Sequence, residues 1–166
     1  ATVAGVEVEV RKNLFVRPLS SAANGMNKLS FGLNGSYIYT NAKMPLATVT
    51  TGSQLEGAAP WIANFDLSHN FTKGNHSFIN TLVFNYVSDK IYTIGTQGYQ
   101  DIIEQGMMTL DFVSQAKLNK YVSLTLKARN LLNPSYKLSR KANESGEKVV
   151  LSDYKKGINI SLGVSC

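Results

Sequence analysis

His69 and His76 bracket the turn Thr72-Lys73-Gly74-Asn75, and their spacing makes them the first pair to consider as metal ligands. A zinc site takes three or four protein ligands, and no further side chain is spaced to join these two. They read as histidines at the rim of a hairpin. Asp66 and Asp111 are the best pair of carboxylates for acid–base hydrolysis, which needs the two within roughly 5–10 Å. They fall on strands separated by a third, and solvation explains them equally well. No serine stands in the Gly-x-Ser-x-Gly elbow that exposes a nucleophile. The sequence therefore assigns no catalytic residue, no metal site and no cofactor, and the chain does not read as an enzyme.

Binding chemistry is better represented. Lys137, Arg140, Lys141, Lys148, Lys155 and Lys156 crowd one stretch, in a chain with 17 basic and 11 acidic residues and a net charge of +6. There is no basic helix and no interleaving of aromatic with basic residues, so nucleic acid is not the expected partner. Gln54, Glu56, Tyr92, Gln97, Tyr99, Gln100 and Tyr136 stand in long polar connectors. These are the candidate ligand contacts, because loops held by a rigid scaffold carry most binding residues.

The elements that must position these side chains alternate apolar and polar residues with period two. In 121–132, Val122, Leu124, Leu126 and Ala128 take one face, while Ser123, Thr125, Lys127 and Arg129 take the other. Successive strand side chains point to opposite sides, so each such segment is a strand with two unlike faces. The pattern predicts strands at 2–12, 28–40, 60–71, 76–90, 107–118 and 121–132, and a last one carrying Ile158, Ile160, Leu162 and Val164. Connectors are expected at 13–27, 41–59, 91–106 and 133–153, with tight turns at 72–75 and 119–120. Gly74 sits where a hairpin turn needs positive φ. The chain is expected to be all-β, in antiparallel up-and-down order.

Period two does not say which face meets water. A soluble sandwich, or a lipocalin-like carrier of small ligands, turns the apolar rows inward; a transmembrane barrel inverts them. Three features favour inversion. Short turns and long connectors alternate, the asymmetry of an outer-membrane barrel, with 13–27 longer than that rule prefers. The strands run to about 11–15 residues, against about 5–6 in globular proteins. Trp61, Tyr37, Tyr39 and Tyr86 gather at one end of the strands and Phe71, Phe78 and Tyr121 at the other, as two aromatic girdles would. The charged share is 17%, below the roughly 25% of ordinary soluble domains.

In that orientation Glu7, Glu9, Arg11, Asp66, Asp111, Lys117, Lys127 and Arg129 face the lumen, which such long charged side chains would make wide and wet. Seven strands do not close a barrel of the bacterial type, where the number is even. The chain is therefore expected to be the last third or so of a larger wall, and a mature product or a piece of something longer. The basic cluster then lies at the outer rim, where it would pair with lipopolysaccharide phosphates. A small outer-membrane adhesin is a further alternative.

Several motifs resemble the C-terminal barrel segment of TonB-dependent outer-membrane receptors of the Bacteroidota type. They are Gly5-Val6-Glu7-Val8-Glu9-Val10-Arg11-Lys12-Asn13-Leu14, Asn34-Gly35-Ser36-Tyr37-Ile38 and Ala59-Pro60-Trp61. The sharpest are Ala128-Arg129-Asn130-Leu131-Leu132-Asn133-Pro134-Ser135-Tyr136 and Gly157-Ile158-Asn159-Ile160-Ser161-Leu162-Gly163-Val164-Ser165. The resemblance spans nearly the whole chain. It implies a barrel of about 22 strands around a plug domain, in the bacterial outer membrane. Such receptors import a scarce nutrient (iron chelate, haem, cobalamin, glycan or peptide), powered through the TonB complex by segments outside this chain. A surface lipoprotein is a further implied partner. Members of the family usually end on an aromatic residue a few positions after the equivalent of Ser165, whereas the last residue here is Cys166.

Overall fold

The computed structural model describes residues 1–19, 25–42, 54–96, 98–142 and 146–165. Seven strands form one antiparallel sheet: β1 (Thr2–Leu19), β2 (Gly25–Asn41), β3 (Trp61–Lys73), β4 (His76–Val87), β7 (Met107–Lys117), β8 (Ser123–Arg129) and β11 (Asn159–Ser165), in that spatial order. Each strand lies beside its sequence neighbour within the sheet, the meander expected from the alternation. Four shorter strands, β5 (Lys90–Thr93), β6 (Ile102–Glu104), β9 (Ser135–Lys141) and β10 (Lys148–Lys155), build a second sheet in the order β10-β9-β6-β5. The described residues contain no helix.

The large sheet is a single layer. Its substantial contacts run only between ladder neighbours, and β1 and β11 are its two open edges. Register carries the side-chain alternation intact across the strands. On one face Leu33 stands beside Phe65, Phe65 beside Phe84 and Phe84 beside Leu110. One row further on, Phe31, Leu67, Leu82, Phe112, Ala128 and Ile160 align. The opposite face carries Glu9, Asn34, Asn64, Asn85 and Thr109 in a row. Among the described residues nothing covers the apolar face: Leu33 is 47% exposed, Phe65 37% and Met108 50%, and only Ala42, Ala59 and Ile91 are buried apolar side chains.

Two departures from the sequence-based expectation have physical causes. Strand β1 continues to Leu19 and pairs with β2 as far as Gly25, whereas alternation ends it at Lys12. A bulge between Asn13 and Phe15 shifts the register by one. One extra residue moves the apolar side chains from even to odd positions, so Phe15 returns to the apolar face beside Leu29. The first connector thereby shrinks to 20–24, outside the described residues, and all three connectors at that end of the sheet are short. Lys12 stays on the apolar face, opposite Phe31.

The second departure lies in the long connectors. Segments expected as loops at 91–106 and 133–153 hold β5, β6, β9 and β10, and the strand expected to reach residue 90 leaves the large sheet at Val87. The tight turn at 74–75 is as expected, with Gly74 at φ 59°.

Candidate functional site

All eight charged residues expected on one polar face do share it, by register. Its best-connected part lies on β1–β3. Asn34 donates to the Glu7 carboxylate at 2.6 Å and Asn64 donates to Asn34 at 3.4 Å. Arg11 pairs with Glu9, and Arg11, Gly32 and Asp66 fall in one row. A Cβ at Gly32 would meet the Asp66 carboxylate, which would have to turn aside. Glu9, Arg11, Asn34, Asn64 and Asp66 line a shallow cavity of about 250 Å³. Asp66 and Asp111 remain apart, with Val83 of β4 between them. Asp111 instead accepts from the backbone N–H of Asn130 at 2.8 Å.

The histidines do not meet. His69 pairs with Asn80 and His76 with Lys73, and the His69 Nε2 lies 2.8 Å from the Asn27 side-chain oxygen. Among the described residues no cluster of three metal-ligating side chains occurs.

Most chemistry gathers where the second sheet meets the long-connector end of the first. The junction is built by Asn130 and Asn133, both left-handed, at φ 59° and 45°. Asparagine tolerates that conformation better than other residues with a Cβ. The Asn130 amide donates to the Gly157 carbonyl at 2.7 Å, and the Gly157 N–H donates to the Asn133 side-chain oxygen at 3.1 Å. The Asn-Leu-Leu-Asn stretch is thus a clasp on Gly157. It closes the chain back into the sheet after the β9–β10 excursion. Beside it Met107, Thr109, Asp111, Arg129, Tyr136, Lys156 and Asn159 help line a cavity of about 380 Å³, open to the polar face.

Of the expected ligand contacts, Tyr136 is the most firmly placed. Its hydroxyl donates to Glu104 at 3.2 Å, its ring lies 5.1 Å from that of Tyr154, and the Lys156 ammonium stands 5.5 Å above it. Burial, and then the Glu104 charge, hold its hydroxyl above the ordinary tyrosine pKa. A raised acid pKa means that the fold favours the protonated form. Its contribution to stability is therefore complete below the ordinary tyrosine range and is lost as pH rises through the folded value. Glu104 also meets Lys90 at 3.3 Å, so Lys90, Glu104 and Tyr136 join β5, β6 and β9. Sequence reading missed Glu104 and Lys90, because their positions mean nothing until the short strands pair.

Tyr99 lies under the Arg140 guanidinium, 5.1 Å from ring centre to carbon. Gln100 lines a third cavity, of about 340 Å³, with Arg140, Lys141 and Lys148. Tyr92, 46% exposed, stands on β5. Gln54 and Glu56 are exposed in a segment tied down by Leu55 N–H to the Thr40 hydroxyl (3.0 Å) and Gly57 N–H to the Ile91 carbonyl (2.8 Å). Gln97 and Cys166 lie outside the described residues. The six basic residues do not act as one group: Lys137 is bound to Asp153 at 3.2 Å, Lys155 stands opposite Ser135, and Lys156 covers Tyr136.

The clustered side chains can bind a polar or anionic ligand; no arrangement of nucleophile, base and orienting group is present among the described residues. No family model, no curated protein and no solved structure matches this chain.

Proposed function

We propose that this chain forms part of the wall of a larger outer-membrane β-barrel, the C-terminal segment of a TonB-dependent receptor that imports a scarce nutrient. The observation that carries this reading is a single-layer sheet whose apolar face, crossed by one polar row of His69, Asn80 and Ser114, is left uncovered by the described residues. A water-soluble sheet buries such a face against a second layer or closes over it; lipid makes a second layer unnecessary. The open edges support the larger barrel. An unpaired strand in hydrocarbon leaves backbone groups that cost several kcal/mol each, so β1 and β11 require neighbouring strands.

Dimensions support the same reading. The Tyr37 and Trp61 rings stand 4.5 Å apart at one end of the apolar face, and the Phe71 and Phe78 rings 6.4 Å apart at the other. From Trp61 to Phe71 is about 34 Å of strand, at about 3.4 Å per residue. Tilted by about 45°, it stands about 24 Å tall, against about 25 Å for the lipid-facing band of such barrels.

The assignment to TonB-dependent receptors rests on the sequence motifs. In this reading the charged face lines a water-filled lumen beside a plug domain, and the second sheet stands outside the cell. Ligand enters past Tyr136, Tyr99 and Gln100. The nutrient itself is an iron chelate, haem, cobalamin, glycan or peptide. The test is retention of the intact protein on the immobilised periplasmic domain of TonB, after purification from the outer membrane in detergent. Retention that increases with nutrient added is the expected result. A protein recovered only from the soluble fraction, with no TonB binding, contradicts the reading.

A further inference from the structure

We propose that the cavity beside the asparagine clasp binds a small acidic α-amino acid, with Asp111 taking its ammonium group, Arg129 its α-carboxylate and Lys156 its side-chain carboxylate. All three residues line the cavity of about 380 Å³, a size within the roughly 300–1,000 Å³ of small-molecule sites. Register brings the first two together. Phe112 pairs with Ala128, so one step further along the same ladder Asp111 stands across from Arg129, both on the polar face. Side chains that face each other across an antiparallel pair have their Cβ atoms about 4.5–5.5 Å apart, close enough for an ion pair. None forms between them: the ion pairs among the described residues are Arg11–Glu9, Lys90–Glu104 and Lys137–Asp153.

The Asp111 carboxylate turns instead to the Asn130 N–H, from which one of its oxygens accepts at 2.8 Å. Its other oxygen and the exposed Arg129 guanidinium are left side by side, oppositely charged and not joined. The ammonium and carboxylate of an α-amino acid lie on one carbon and satisfy both at once, each through charge-assisted hydrogen bonds. The guanidinium fork suits the carboxylate in particular. Lys156 is placed by the clasp. It precedes Gly157, which Asn130 and Asn133 hold from both sides, and its ammonium stands 5.5 Å above the Tyr136 ring, another wall of the same cavity. A carboxylate in the wall disfavours a simple anion, and two cations disfavour a simple cation. One ammonium and two carboxylates complement all three groups. The site stands on these contacts; only the step from a bound ligand to an imported one rests on the receptor reading.

The intact protein carrying this chain, in detergent micelles, is titrated by calorimetry with L-glutamate, L-glutamine and N-acetyl-L-glutamate. Glutamate is expected to bind. Glutamine, which lacks the second carboxylate, and N-acetylglutamate, which lacks the ammonium, each bind roughly tenfold more weakly or worse. N-acetylglutamate carries the larger negative charge, so attraction by net charge alone predicts the reverse order. In D111N the loss on acetylation disappears, while the asparagine oxygen still accepts from the Asn130 N–H. In K156Q the preference for glutamate over glutamine disappears, and R129Q weakens both by the same factor. The three probes on the unaltered protein decide the matter even where a variant fails to fold. No binding of glutamate, tighter binding of N-acetylglutamate, or folded variants that keep the original preferences overturns the proposal. Glutamate binding by a protein that stays dispersed without detergent keeps the site and removes the membrane reading, so the two failures are distinct.

Discussion

Leu67→Arg destabilises the inserted protein by about 2–4 kcal/mol, the cost of an arginine facing lipid near the bilayer midplane. Leu67 lies near the middle of the stretch between Trp61 and Phe71, on the apolar face between Phe31 and Leu82. Ser68→Arg, one residue on and on the opposite face, is expected to cost only about 1 kcal/mol. It loses the 3.2 Å contact between the Ser68 and Thr81 hydroxyls, and a typical hydrogen bond contributes about that much. Arginine alone does not tell lipid from a dry protein core, since both reject it. Leu67→Ala narrows the choice. In a packed core it loses the transfer of three carbons and also leaves a cavity, at a cost of up to about 5 kcal/mol, whereas acyl chains fill the space and leave only the transfer term, about 2 kcal/mol. Urea unfolding of the three variants in micelles or vesicles gives the comparison. A costly Leu67→Arg with a Leu67→Ala cost no larger than the bare transfer term of about 2 kcal/mol is the signature expected.

The second large effect is at the asparagine clasp. Asn130→Val places a β-branched residue at φ 59°, where a left-handed conformation costs about 1–2 kcal/mol. It also removes the 2.7 Å hydrogen bond to the Gly157 carbonyl, for about 1 kcal/mol more. A total of about 2–3 kcal/mol corresponds to roughly 30- to 150-fold faster opening of the β9–β10 hairpin, read by hydrogen exchange at the Tyr136 and Leu138 amides. Asn130→Gly keeps the backbone conformation and loses only the side-chain bond, so it gives a fivefold to tenfold effect. Equal exchange in both variants would mean that the backbone conformation is irrelevant to the clasp.

The seven strands of the large sheet were legible because alternation dominates in each, although Ile79, Val83 and Val87 interrupt the polar row of β4 and β8 and β11 are only seven residues long, and the meander follows from their short connections. What alternation missed, it missed for identifiable reasons. The bulge at Leu14 changes parity, so the second half of β1 looks irregular in sequence although it pairs with β2 along its length. β9 does alternate, with Tyr136, Leu138 and Arg140 against Lys137, Ser139 and Lys141. Its charge made it read as a loop, and its partner beyond the hairpin is the three-residue β6. β10 contains the run Val149-Val150-Leu151 and a second register shift before Ser152, which together hide its periodicity. The basic residues and the loop tyrosines were visible as candidates. Their grouping was not, because only pairing of β5, β6, β9 and β10 decides that Lys137 meets Asp153 while Arg140 meets Tyr99. Asn130 and Asn133 stood inside a motif that sequence marked as specific, but the reason, two left-handed residues gripping Gly157, is a matter of backbone geometry.

The claim on which the rest depends is that the apolar face meets lipid. It is tested most directly by single cysteines at 64, 65, 66, 67 and 68 of β3, in the intact protein with Cys166 replaced by serine. Each is labelled with a bimane fluorophore and reconstituted into vesicles, then quenched by nitroxide lipids or by aqueous iodide. The account predicts lipid quenching at Phe65 and Leu67, and aqueous quenching at Asn64, Asp66 and Ser68, alternating residue by residue. Labels at 65 and 67 that neither quencher reaches, or that iodide reaches better than lipid does, contradict it.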